Sequence, residues 1–450
     1  MRQFSFVGLV LASVLLFSHS SLSQGLPPAV AEPYLRYQAA QEAGDLRAAQ
    51  AAAGEAYNAA VASGIDRATQ GLLAEVYGYL AGENGDHGIA FDVLRTAALI
   101  AADTGAPASD RAWRWSLAAN AADAFGQTES ALSNADAALS ALAERPEIDV
   151  QDRPIAADMH YLRARILRTR GSVAAAGEAA RGAIAAFRAD QRDLDGRYGL
   201  MFYSLGEAEY AAGRWALAQD HYRMSLALLT VAEASDDTLW NAWSYAEISE
   251  LLAASTGDEL AEQPYASIHA EMGAQYDAAA NRLERRDLVQ QPGFEDAQLE
   301  VAPAVLYPAS AGEQGGVVVV QFDVDSTGQP QNLNVVFEQP EGLFAAAAVT
   351  AISGRAYAAA RFDGQVVARP GLVQLVMFAD GEAMIAGSAQ SGDERAGSCL
   401  LQQPDWRAGA ELSRGGDQSC LRGLGETLQR GYRGEDSSNR CPNPASCGGQ

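Results

Sequence analysis

Gly315-Gly316-Val317-Val318-Val319-Val320-Gln321-Phe322-Asp323-Val324, then Asp325-Ser326-Thr327-Gly328, then Asn332-Leu333-Asn334-Val335-Val336-Phe337, sets the architecture of the C-terminal part of this chain. Val318, Val320, Phe322 and Val324 fall on one side of an extended backbone, with Gln321 and Asp323 opposite them beside Val317 and Val319. That is the period of a half-buried strand. Asp325 to Gly328 is a turn cluster, and its glycine supplies the left-handed residue a hairpin needs. Leu333, Val335 and Phe337 alternate again and predict an antiparallel partner. After Pro340 the period lengthens: Phe344, Ala347, Ala348, Ala351 and Ile352 share one helical face, and Gly354 can close that helix. Val373, Leu375 and Met377 alternate in a last strand. The order is β-β-α-β, one helix over one face of a three-stranded sheet. Such a sheet leaves a free edge, and a free edge is a template for an added strand.

The surrounding residues carry a family resemblance. Tyr307-Pro308 with Ala309 and Ala311 leads in; Gly315-Gly316 precede the first strand; Phe322-x-Val324 and Gly328 close it. Phe344-x2-Ala347-Ala348-x2-Ala351 forms the helix, and Tyr357 and Gly364-x-Val366 follow. In this order they resemble the C-terminal domain of the TonB family, over roughly a sixth of the chain. Where the family usually carries a proline after the aromatic residue, Ala358-Ala359-Ala360 stand here. The resemblance implies a periplasmic, non-enzymatic domain that captures an extended peptide, in the family the TonB box of an outer-membrane transporter, by strand addition. It assigns Tyr307 and Pro308 to the lead-in motif and the peptide-binding edge to Leu372, Val373, Gln374, Leu375, Val376, Met377 and Phe378.

N-terminal to this domain, residues 28–286 are alanine-rich and repetitive. Gly44, Gly85, Gly126, Gly171 and Gly213 recur at about 42-residue intervals. Five residues after each stands Ala49, Ala90, Ala131, Ala176 or Ala218. Twelve after stands Ala56, Ala97, Ala138, Ala183 or Ser225. Seven before stands Tyr37, Gly78, Ala119, Ala164 or Gly206. Small residues at these offsets let paired helices approach closely. The pattern resembles the tetratricopeptide repeat, best in Phe202-x2-Leu205-Gly206 with Gly213-x-Trp215-x2-Ala218-x3-Tyr222-x2-Ser225, although the usual period is ~34 residues. A further pair, Thr238 to Ala254 and Pro264 to Arg285, completes the array. One such unit cannot bury its apolar face alone, so the units stack into a solenoid that binds peptides or proteins. Trp113, Trp115, Trp240, Trp243 and Tyr245 are aromatic candidates for a binding groove, but their helical spacing reads better as core.

The remaining segments are a signal peptide over residues 1–23, a linker over 287–302, the TonB-like domain over 303–380 and a loop-rich or disordered tail over 381–450. The apolar run Phe4 to Phe17 is short for a membrane span of ~20 residues and fits a secretory h-region with Ser21-Leu22-Ser23 near the cleavage site. The alternative is an uncleaved inner-membrane anchor. An exported chain meets an oxidising compartment, so the tail cysteines Cys399, Cys420, Cys441 and Cys447 are disulfide candidates, with neighbour pairing the simplest of three. No Cys-x2-Cys pair suggests zinc.

The formal net charge is −25, and every basic residue is arginine. An acidic chain is repelled by phosphate backbones, which excludes nucleic acid as a natural partner. Without lysine there is no phosphate-loop or Schiff-base lysine. The histidines (His19, His87, His160, His221, His269) form no metal-ligand pair, and no nucleophile elbow occurs. Asp323-x-Asp325-x-Thr327-Gly328 opens like a calcium loop but has Asn334 where the closing acid belongs, so a hairpin turn is the better reading. No cofactor, metal or catalytic residue is expected. The expected partners are cell-envelope proteins, foremost TonB-dependent outer-membrane transporters; the ExbB–ExbD motor is a partner only if the N-terminus is kept as an anchor. The other functional reading is a periplasmic repeat scaffold without energy transduction.

Overall fold

The computed structural model describes residues 25–378, apart from 262, 284–287, 289–290, 304 and 312–313. The N-terminal apolar segment and the four cysteines lie outside the described residues. The chain divides into two compact units, one holding the described residues to Arg170 with Gly182–Arg192, the other Gly171–Arg181 with the chain from Asp193.

The first unit contains α1 (Pro28–Glu42), α2 (Leu46–Ser63), α3 (Arg67–Glu83), α4 (His87–Asp103), α5 (Ala108–Ala124), α6 (Thr128–Ala143), α7 (Arg153–Thr169) and the second half of α8 (Val173–Ala189). The periodic glycines are the turns inside the helix pairs. Gly44 has φ +73° and Gly85 φ +83°, and Gly126, Gly171 and Gly213 are also left-handed. Such a residue just past a helix lets the next N–H turn back onto the last carbonyls. Asp45 N donates to Ala40 O at 2.9 Å, Asp86 N to Ala81 O at 2.8 Å and Gln127 N to Ala122 O at 2.7 Å. Asp45 caps α2 by accepting from Ala48 N at 3.0 Å, and Asp66 caps α3 by accepting from Thr69 N at 2.9 Å. The alanines at the recurring offsets make the contacts: Ala49, Ala56, Ala97, Ala131 and Ala138 are 0% exposed. Packing leaves no room for more, since a Cβ on Gly78 would stand 2.6 Å from Leu94 Cγ.

The second unit begins with the same device. It holds the first half of α8, then α9 (Gly196–Ala211), α10 (Trp215–Val231), α11 (Asp236–Thr256) and α12 (Ala266–Leu283). Its core is aromatic. Tyr222 stacks on Tyr245 at 5.1 Å, Tyr203 meets Tyr222 edge-on at 5.3 Å and Tyr210 meets Trp215 edge-on at 5.0 Å. Trp240, Trp243 and Tyr245 are buried, and the Trp113 indole N–H in the first unit donates to Glu75 Oε1 at 2.8 Å. These aromatics therefore pack, as their spacing suggested. Helix pairs of this kind followed by a small strand domain give the expected α+β fold: a tetratricopeptide-like solenoid, then β-β-α-β.

That domain centres on β3 (Gly316–Val324), which pairs antiparallel with β4 (Pro330–Gln339) on one side and β8 (Arg369–Phe378) on the other. Helix α13 (Ala345–Ser353) covers one face, with Phe344, Ala348, Ala351 and Ile352 against Val318, Val320, Phe322 and Val324. Short strands β1 (Phe294–Glu295), β2 (Gln298–Val301), β5 (Ala356–Ala358), β6 (Arg361–Phe362) and β7 (Gln365–Val366) finish it, β1 pairing with β6 and β2 with β5. The stretch read as a linker, 287–302, thus contributes two strands to the domain. Its run of polar residues hid pairings whose partners lie some sixty residues on.

The sheet is also not half-buried. Val317 and Val319, on the face away from α13, are 0% exposed. A bulge between Val319 and Val320 turns Phe337 onto that face, out of step with Leu333 and Val335. There its ring meets Tyr245 of α11 edge-on at 5.0 Å, and Gln321 Nε2 donates to Leu283 O at the end of α12, 3.3 Å away.

Candidate functional site

In the sheet order β4-β3-β8, both outer strands lack a further partner among the described residues. The two edges differ. β4 begins at a proline, holds Asn332 at φ +53° and shifts register twice against β3. Bulges and irregular backbone blunt an edge. β8 shifts once, near its start; from Phe322↔Leu372 to Gly316↔Phe378 every residue is in step. This regular run is Leu372 to Phe378, the stretch assigned from sequence.

Alternation sends Leu372, Gln374, Val376 and Phe378 to the α13 side and Val373, Leu375 and Met377 to the other, as their β3 partners show. Leu375, Val376, Met377 and Phe378 are buried, while Leu372, Val373 and Gln374 are half-buried. With both faces occupied, the open direction is along the backbone of the edge, where affinity comes from main-chain hydrogen bonds.

Carboxylates hold this edge in place. Arg369, 3% exposed, donates from Nε to Asp296 Oδ1 at 2.8 Å, tying the start of β8 to the β1–β2 connection. Asp323 Oδ1 accepts from Gly371 N and its Oδ2 from Asn332 Nδ2, each at 2.8 Å. Asp325 Oδ1 accepts from Thr327 N at 2.8 Å, Thr327 Oγ1 at 2.7 Å and Gln329 N at 3.0 Å. The hydroxyl of Thr327 chiefly, with these amides, lowers the Asp325 carboxyl below its ordinary value. Of the two acids of the calcium-like motif, Asp325 is thereby committed to the turn and Asp323 ties β3 to both β4 and β8.

At the far end of β8, Phe378 stacks on Phe344 at 4.6 Å. Tyr307 lies across both, 5.8 Å from Phe344 and 6.3 Å from Phe378, and its hydroxyl donates to Gln314 O. Pro308 O accepts from Ala311 N at 3.0 Å. The lead-in motif therefore buttresses the edge from inside. Glu338 was missed from sequence: its carboxylate accepts from Gly342 N at 2.9 Å, Phe344 N at 2.6 Å and Ala345 N at 2.8 Å, capping α13 from the end of β4. Burial pushes that carboxyl up, but the backbone donors outweigh it and hold it below its ordinary value. A lone Glu at a strand end gives no local signal for this, because its targets lie across a turn. Asp296, in the supposed linker, was missed for the same reason.

Residues 303–376 match the family model described as Gram-negative bacterial TonB protein C-terminal, so this segment is similar to the C-terminal domain of that family. Among solved structures, the chain is similar to that of BtubC (BKLC) from P. vanneervenii, at 16% identity over 58% of this chain and 92% of that one, with a TM-score of 0.33. It is also similar to a Rap protein complexed with competence and sporulation factor, at 13% identity over 59% of this chain and 73% of that one, with a TM-score of 0.30. No curated protein matches the chain.

Proposed function

We propose that this protein is a non-enzymatic cell-envelope component whose C-terminal domain captures an extended peptide of a partner protein by adding it as a fourth strand beside Leu372–Phe378. The observation that carries this is the unbroken register of β8 at the open edge of a sheet buried on both faces. The family match supports a partner in the Gram-negative envelope, with an outer-membrane transporter as the first candidate. The location in this reading is the periplasm, reached through a cleaved signal; retention of the N-terminus as an inner-membrane anchor would add coupling to the ExbB–ExbD motor. Among the described residues no helix is long and apolar enough to cross a membrane. N-terminal sequencing of the envelope protein decides between the two: a start near Gln24 rules out coupling through this chain's own anchor, and a retained Met1 or Arg2 restores it.

Strand addition has a specific test. Transporter N-terminal peptides are titrated against the full chain, unmodified or N-methylated on alternate backbone amides. Only every second N–H of an added strand points at β8, so one methylated set should lose binding and the other keep it. Equal binding by both sets would reject strand addition.

The second reading, a repeat scaffold that acts through its helix pairs, is favoured by the regular series of small contact residues and left-handed glycines. Deleting the C-terminal domain is a poor discriminator, because Phe337 covers Tyr245 and the deletion would uncover helix α11. The methylated peptides leave the helices intact. A partner captured with equal affinity when β8 is blocked by an unmodified competitor peptide belongs to the scaffold.

A further inference from the structure

Two arginines of the C-terminal domain are buried, Arg355 at 2% and Arg369 at 3% exposure. They are treated differently by their surroundings. Arg369 has the carboxylate of Asp296. Arg355 has a neutral amide: its Nη1 donates to Gln374 Oε1 at 3.0 Å and lies 3.5 Å from the Tyr357 hydroxyl. Among the described residues its Nε has no acceptor and no carboxylate comes within ion-pair distance. A guanidinium does not shed its proton, and a buried charge without a counter-charge costs several kcal/mol. In a chain of net charge −25, lack of acids is not the reason.

The position of this cation matters. Gln374 sits in the middle of the regular run of β8, opposite Val320, on the α13 side of the sheet. A strand added outside β8 places one residue directly across from Gln374 on that same face, with Cβ atoms about 4.5–5.5 Å apart. A Glu or Asp there reaches the guanidinium that Gln374 now occupies with its amide oxygen. Gln374 is itself held over the edge, its Nε2 donating to Leu375 O at 3.0 Å, so it can release Arg355 without losing its last partner. We infer that Arg355 is a specificity residue of the strand-accepting edge: it selects an extended peptide carrying a carboxylate at the position opposite Gln374. The preference is local, since the field of an acidic chain repels acidic peptides at a distance. This inference rests on the strand-addition reading of β8.

The probe is a set of acetylated, alternating Val-Thr peptides with a single Glu walked along the sequence, each paired with its Gln counterpart, titrated against the full chain. One position should show a Glu preference of about tenfold, the size of one charge-assisted hydrogen bond. The remaining positions should show none. Arg355→Gln, which keeps a donor for Gln374, should abolish the difference between the Glu and Gln peptides at that position. If this variant does not fold, the unmodified protein still decides: the Glu advantage should fade as the peptide carboxyl protonates below its free pKa of about 4.3. Glu and Gln peptides binding equally at every position would overturn the role of Arg355 and leave strand addition standing. A uniform Glu preference at all positions, unchanged in Arg355→Gln, would also overturn it. No binding by any peptide would reject strand addition and the inference together.

Discussion

The two units solve the same packing problem with different proportions of small and aromatic side chains. In the first, alanine dominates the helix contacts beside a few larger residues such as Tyr37 and Leu80: Ala49, Ala97 and Ala138 are 0% exposed. In the second, the repeat positions persist, but the space around them is filled by Tyr203, Tyr210, Tyr222 and Tyr245. Small side chains specify distance and leave little to remove. Large rings supply area and can span unlike elements, and Tyr245 does so, touching Tyr222 of α10 and Phe337 of the sheet. The strand domain thus meets the repeat array where its contact residues change from spacers to fillers.

Emptying the aromatic core should cost the second unit the most. Tyr245→Ala removes the ring shared by the helices and the sheet, and an aromatic-to-alanine change in a core costs about 3–5 kcal/mol. Chemical denaturation should show that loss, together with faster hydrogen exchange in β4. A loss below about 1 kcal/mol, typical of surface sites, would show that the ring fills no essential space.

Acid separates the units next. His221 of α10 is 3% exposed, and among the described residues neither ring nitrogen has a hydrogen-bond partner. Burial lowers its pKa to about 4; Asp220 and Glu209 act to raise it, Arg181 and His269 to lower it further. With an unfolded value of about 6.5, the unfolded chain binds the extra proton first, so stability falls as pH drops from about 6.5 towards 4, by up to about 3 kcal/mol. His160 of the first unit is only half-buried, with its pKa lowered mainly by burial. The second unit should therefore melt first on acidification, and His221→Phe should flatten the dependence between pH 7 and pH 5. An unchanged slope in that variant would assign acid sensitivity elsewhere.

Much of this contrast could be read from the sequence, and the reason is range. The glycine series is legible because a left-handed turn is a local demand that few residues meet. The hairpin at Asp325–Gly328 and the helix face of Phe344, Ala348 and Ile352 are local patterns too. What escaped depends on partners far along the chain. Phe294 and Glu295 pair with Phe362 and Arg361, and two-residue strands have no period to detect. Gln321 and Asp323 look like a solvent face, yet they bond to Leu283 O and Gly371 N. The bulge that turns Phe337 onto that face leaves no trace in composition. In the candidate site, the last strand was legible by the alternation of Val373, Leu375 and Met377, whereas Arg355, Asp296 and Glu338 were indistinguishable from surface charges.

Filling the alanine core is the converse of emptying the aromatic one. Ala138→Leu inserts three carbons where Ala138 is 0% exposed, and overpacking of this kind costs about 1–3 kcal/mol. The same addition at an exposed alanine such as Ala51 should be neutral within ~0.5 kcal/mol. Equal midpoints for the two variants would mean that close approach is not what the small residues provide.

The smallest effect isolates the turns from the packing. Gly85 has φ +83°, and a Cβ placed on it would meet nothing within 4 Å. Gly85→Ala therefore carries only the conformational cost of an L residue in the left-handed region, about 1–2 kcal/mol. Gly85→Asn should recover part of it, because asparagine tolerates that region. Gly328, with φ +84°, differs only in its surroundings: its Cβ would lie 1.9 Å from Tyr357 O, and its own carbonyl accepts from Tyr357 N at 2.9 Å. There asparagine should rescue nothing, since the obstacle is the backbone leading into β5. If Asn rescued both sites equally, the two glycines would serve the same purpose and the strand domain would be no more tightly built than a helical turn.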